Sequence, residues 1–221
     1  VKGVLPAAGD LRQRVRVDRR HDGTDDTLFG DDTLLAVEAL LTPWRRSLAV
    51  THLSAGRVVV VTPPASPAVT TAAARAHCRV AHAHHDATLA SLVGVASAWL
   101  EGPTGGLGRS LVTRTLDLEL AAFPCGREAA LPCGPVSGAP VVTYRDADNV
   151  VQTLDAALYF VAGDTLVFNQ GWAPPATYPR PDAVVVRYTA GYGAATALPP
   201  PVRQALLLLV GELYEPWREF Q

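Results

Sequence analysis

Asp182-Ala-Val-Val-Val-Arg-Tyr-Thr-Ala-Gly-Tyr-Gly193, followed closely by Leu198-Pro-Pro-Pro-Val-Arg-Gln-Ala-Leu-Leu-Leu-Leu-Val-Gly-Glu-Leu-Tyr214, is the stretch from which the fold is read. Its first half alternates. Val184, Val186 and Tyr188 point one way and Val185, Arg187 and Thr189 the other, the period of a strand. Gly191 and Gly193 then allow a sharp turn. Pro201 suits the first turn of a helix, where a missing N–H costs nothing. From there Val202, Ala205, Leu206, Leu209, Val210 and Leu213 recur at helical spacing as one apolar stripe. Leu207 and Leu208 fall outside it, so this helix is apolar, and buried, from more than one side. Two readings fit: a central core helix, or a helix held between its own domain and a neighbouring subunit.

The chain has 221 residues, of which 48% are hydrophobic, so a sizeable core is available to one domain with an appendage. A net charge of −2 and a pI near 6.3 argue against a nucleic-acid binder that grips phosphate over its whole surface. They leave room for a protein that surrounds DNA without holding it. No sustained apolar run follows Lys2, so no secretory leader is expected. The run Ala205–Val210 falls far short of the ~20 residues that cross a bilayer. Three cysteines (Cys78, Cys125, Cys133) fit a reducing compartment better than a disulfide framework.

Residues 1–55 read as an N-terminal extension. Arg12, Arg14 and Arg16 share one face of an alternating strand, an acidic loop follows, and Thr33–Leu41 has the pattern of a short helix stopped by Pro43. The arginines are either neutralised by the neighbouring aspartates or contact DNA phosphate or an acidic partner. Residues 56–221 form the main domain. Val58–Val61 is a short strand, and Thr70 or Thr71 caps a helix through Arg79. A second helix starts near Asp86 as its N-cap, carries Leu89, Leu92, Val93, Ala96, Trp99 and Leu100, and stops at Gly102-Pro103. Helices are thus expected over about 70–101 and 201–215, with β structure over about 109–190. The expected fold class is α+β: a helical bundle formed by helices from both ends of the main domain, with an inserted β-strand region and the N-terminal extension.

Catalytic signatures are weak. His82-Ala-His-His-Asp86 resembles a metal-binding run, and a metal-dependent hydrolase using His82, His84 and His85 is the alternative function. A catalytic zinc needs three ligands converging from separate elements, and no histidine follows His85 in the chain. Gly105-Gly-Leu-Gly108 precedes β structure, whereas a phosphate cradle opens a helix. Asp117 and Glu119 share a strand face and read as surface charges. No catalytic residue, metal or cofactor is assigned.

From Val58 to Arg218 the chain resembles the head–tail connector (adaptor) family of tailed bacteriophages and phage-like gene transfer agents. The resemblance is carried, in order, by Val61-Thr-Pro-Pro64 with Val69-Thr70 and by Ala74-Arg-Ala-His-Cys-Arg-Val80. Ala96-Ser-Ala-Trp-Leu-Glu-Gly-Pro-Thr-Gly105 follows, similar to the family's A…(Y/W)-x-E-x-x-T-G. Then come Phe123-Pro, Leu131-Pro-Cys-Gly-Pro-Val136, Val142-Thr-Tyr-Arg-Asp-Ala-Asp148, Trp172-Ala-Pro, Tyr188-Thr-Ala-Gly-Tyr-Gly193 and Pro201-Val-Arg-Gln-Ala-Leu-Leu-Leu-Leu-Val210. Each piece alone is weak; together and in order they are specific. The loop before the second helix, His82-Ala-His-His85, departs from the family's usual acidic loop.

The resemblance implies a structural, non-enzymatic protein. Such proteins form a dodecameric ring beneath the portal of a DNA-filled capsid and extend its channel, through which double-stranded DNA passes without sequence-specific contact. They carry the stopper or tail-side protein, and they belong to the particle's head–tail junction after assembly in the bacterial cytoplasm. No membrane is involved. Because the C-terminal segment of related adaptors docks on the portal protein, Tyr214, Trp217 and Arg218 are the expected portal contacts. Arg203, Leu207 and Leu208 join them as portal or subunit-interface candidates.

Overall fold

A computed structural model describes residues 56–103 and 105–219, together with Ala39, and side chains as far as Glu215. The extension at residues 1–55, including Arg12, Arg14 and Arg16, lies outside the described residues but for Ala39.

The order of elements is β1 (Arg57–Thr62), α1 (Thr71–His77), α2 (Asp86–Leu100), β2 (Arg114–Leu120), β3 (Glu128–Ala130), β4 (Val136–Arg145), β5 (Val151–Thr153), β6 (Tyr159–Ala162), β7 (Thr165–Phe168), β8 (Val184–Ala190) and α3 (Pro200–Glu219). β8 is the central strand of a five-stranded antiparallel sheet with the order β1-β2-β8-β4-β5. Its alternation decides which face is buried. Val184, Val186 and Tyr188 stand opposite Leu120, Leu118 and Leu116 of β2, and Val186 also stands opposite Val142 of β4. A second antiparallel sheet, β3-β7-β6, adds Ala129, Leu166, Phe168 and Tyr159 to the same apolar cluster. Phe168 and Trp172 stack with ring centroids 4.0 Å apart, and Phe123 meets Phe168 edge-on. Full burial of each such aliphatic or aromatic side chain is worth about 1.5–3 kcal/mol.

On the other face of the large sheet the charges are paired across strands. Arg187 of β8 lies directly opposite Asp117 of β2 and donates from Nε and Nη2 to its two carboxylate oxygens at 2.8 and 2.7 Å. Arg57 of β1 lies opposite Glu119 and donates from Nε to its Oε2 at 2.9 Å, with Nη2 2.7 Å from the same oxygen. The expectation of two surface carboxylates is therefore corrected: Asp117 is buried, and each is half of a cross-strand ion pair.

The helices have their own apolar cluster, built from Leu89, Val93, Ala96 and Leu100 of α2, Val202, Leu206, Leu209 and Val210 of α3, and Leu111 between α2 and β2. Thr70 caps α1 by accepting from the Ala73 N–H at 3.2 Å. Asp86 is the first residue of α2, not its cap, and its carboxylate pairs with Arg75 at 3.1 Å.

The expected helical bundle is overturned. Two antiparallel sheets set the architecture, and the three α-helices among the described residues are not its dominant feature. The physical reason lies in length and pairing. α1 has seven residues, too few for an independently stable helix. β3, β6 and β7, of three or four residues each, build an entire second sheet with its own apolar face.

The Gly191-Tyr-Gly193 turn joins the two clusters. Gly191 takes φ +133°, and a Cβ there would stand 2.6 Å from the Thr113 nitrogen. Its N–H donates to Pro135, and the Thr113 N–H donates to Gly193 at 3.0 Å. The chain therefore leaves β8, straps the segment that enters β2, and passes into α3.

Candidate functional site

No helix among the described residues is long and apolar enough to cross a membrane. The surfaces that could serve a partner lie on α2, α3 and the corner between α2 and β2.

That corner holds the motif Ala96–Gly105. After Leu100 the backbone folds back on itself, with the Gly106 and Leu107 N–H groups donating to Trp99 and Leu100 at 2.9 Å each. A Cβ on Gly105 would meet the Glu101 carbonyl oxygen at 2.1 Å, so only glycine fits there. Glu101 accepts from the Arg114 guanidinium and from the Leu111 N–H. Burial pushes its carboxyl above the ordinary range, with Arg114 and the Leu111 N–H opposing it. The motif thus encodes how α2 ends and how β2 is reached. The Glu101–Arg114 pair is a structural pairing that the sequence reading missed, since neither residue has a local pattern that points to the other.

An open groove of about 490 Å³ runs beside α2, lined by Pro64, Pro67, Ala90, Gly94, Ser97 and Glu101 among others. The solvent face of α2 consists of Ala87, Ala90, Ser91, Gly94, Val95 and Ala98, without a charged residue.

The candidate residues of α3 are placed as follows. Arg203 donates from Nη2 to the Ala195 carbonyl at 2.8 Å and so fastens the turn that precedes the helix. Leu207 and Leu208 are half-buried against the helical cluster. Tyr214 is 1% exposed, and its hydroxyl is hydrogen-bonded to His85 Nδ1 at 2.5 Å. Trp217 and Arg218 continue the helical backbone, but their side chains lie outside the described residues.

His82, His84 and His85 are close to one another, with ring centroids of His82 to His84 and His85 at 5.2 and 4.9 Å. His85, however, is turned to Tyr214. Among the described residues no group of three or more His, Cys, Asp or Glu could hold a metal ion. Among the described residues Cys78, Cys125 and Cys133 form no disulfide.

No protein-family model matches the sequence, and no curated protein does. Solved structures do. A chain from the neck of an empty gene transfer agent particle, determined with C6 symmetry, is 28% identical over 72% of this chain and 84% of its own, with a TM-score of 0.61. A chain from the virion of a native gene transfer agent particle is 29% identical over the same shares, with a TM-score of 0.60. A chain from the neck of a native particle, determined with C12 symmetry, shares the fold at 24% identity and a TM-score of 0.55, over 72% of this chain and 83% of its own. Sequence motifs and likeness of fold thus agree: the chain is similar to chains from the necks and virions of gene transfer agent particles.

Proposed function

We propose that this chain is a structural component of the neck of a phage-like particle and, more finely, its head–tail adaptor. It works at the head–tail junction as a ring of identical subunits that extends the DNA channel below the portal protein and carries the stopper or tail-side protein. The observation that carries this reading is the likeness, at 28–29% identity over 72% of the chain, to chains of gene transfer agent necks and virions. The C6 symmetry of one such neck supports a cyclic ring, and C12 symmetry in another is compatible with twelve subunits. The near-neutral charge supports a channel through which DNA slides, because strong phosphate neutralisation would hold it.

In this reading the end of α3, with Trp217 and Arg218, docks on the portal and the buried Tyr214 positions it, while Arg203, Leu207 and Leu208 hold the helix at a portal or subunit interface. Arg12, Arg14 and Arg16 contact DNA or an acidic partner. Cryo-electron microscopy of intact particles tests the assignment. A ring of this chain between portal and tail is the expected density; particles lacking the chain would refute it.

A further inference from the structure

The outward face of α2 is unusual for a helix bordering solvent, which ordinarily carries charged or polar groups there. Its exposed positions are small or apolar and uncharged, with Val95 52% exposed. Gly94 sharpens the point. A glycine within a helix costs about 0.5–1 kcal/mol relative to alanine. A Cβ at Gly94 would meet nothing within 4 Å, so no described part of the chain requires glycine there. The adjoining groove supplies an independent sign. Ser97 lines it and is 8% exposed, and its Oγ has no partner among the described residues. A buried hydroxyl left unpaired costs about 1–3 kcal/mol, a cost removed when a polar group enters the groove.

We propose that the outward face of α2, with the groove beside it, is the surface on which a second copy of this chain packs, Gly94 admitting the neighbour's backbone. The proposal rests on the ring reading given above and assigns the ring contact to a surface. In a cyclic ring each subunit buries one patch against one neighbour and a different patch against the other, so every subunit keeps two surfaces for partners of its own kind. The face runs along a helix of 15 residues, about 22 Å of axis. Small side chains along that length bring an opposing element close, since the separation of packed helices follows the size of the residues between them. DNA is a poor occupant, because the helix face offers no lysine or arginine to phosphate and Arg114, which lines the groove, is paired with Glu101. The portal is assigned to the end of another helix.

Two variants of the full-length chain, produced with the other particle components, test this. In the first, Val95 is replaced by the photo-crosslinker p-benzoylphenylalanine and assembled particles are irradiated. Covalent multiples of this chain are the expected products. A ring present in the particles, but with Val95 adducts only within one chain, only to another protein, or absent, overturns the proposal while leaving the ring intact. Particles without the chain overturn the ring reading and the proposal together. In the second, Gly94→Arg is expected to melt no lower than the parent chain, yet to be at least tenfold depleted from particles. Gly94→Ala controls for the helix itself and is expected to raise the melting temperature. Incorporation of Gly94→Arg at the parental level refutes the contact.

Discussion

The hydroxyl of Tyr214, in the last described turns of α3, is hydrogen-bonded to Nδ1 of His85, the residue that precedes α2, at 2.5 Å. The two rings are 5.9 Å apart. A residue expected at a portal contact and a residue of the alternative, metal-dependent reading are thus partners in one internal contact, which anchors the C-terminal helix to the start of α2. Tyr214 acts on any partner through the helix it positions. Tyr214→Phe is expected to lower stability by about 0.5–1.5 kcal/mol, the net worth of one hydrogen bond. Tyr214→Ala is expected to lower it by about 3–5 kcal/mol, because a buried aromatic leaves a cavity. Urea unfolding of both variants checks the pair; equal costs would show that the hydrogen bond contributes nothing.

Because Tyr214 is core, the segment available for docking begins after it. Removing residues 216–221 is expected to abolish retention by immobilised portal protein while leaving the unfolding free energy, measured in urea, within about 1 kcal/mol of the parent chain. Retention at the parental level would remove the C-terminal end from the portal contact. Truncation from Tyr214 onward is expected to unfold the helical cluster as well, and therefore reports on folding.

Glu101 gives a signed pH dependence. Burial raises its carboxyl above the ordinary value of 4.5, so the folded chain keeps this proton at pH values where the unfolded chain has lost it. Folding stability from this group is therefore fully present below pH 4.5 and declines as pH rises toward the raised value, then stays flat. Glu101→Gln is expected to remove that decline. Unfolding free energies at stepped pH provide the comparison, and an unchanged slope in the variant would assign it to other groups.

Gly191 is the most constrained position of the turn that joins the sheets to α3. Gly191→Ala adds a Cβ at a positive φ and against the backbone of Thr113. It is expected to cost about 1–3 kcal/mol from backbone strain alone. Measured stability within 0.5 kcal/mol of the parent chain would show that the strap relaxes freely.

Particular residues show how far the sequence could be read. The buried and exposed sides of β8, the cap at Thr70 and the stripe from Val202 to Val210 follow from spacing, because each is a repeat within a few neighbouring residues. The position of Asp86 was read one residue wrong, since its carboxylate is taken by Arg75 from another helix. The burial of Tyr214 is not legible in the sequence, because aromatic and basic composition at the end of a helix is the same for an interface and for a packed helix end.

By itself, the sequence determined the local periods, the turn positions, the near-neutral charge and the ordered motifs of the connector family. Only the tertiary structure decided that two sheets, and not a helical bundle, form the framework. It also decided that Asp117 meets Arg187, that Glu101 meets Arg114, and that α2 turns an uncharged face outward. The reason is range. Periodicity records which side of an element is apolar, whereas Asp117 and Arg187 are 70 positions apart, and their meeting depends on which strands pair and in what register.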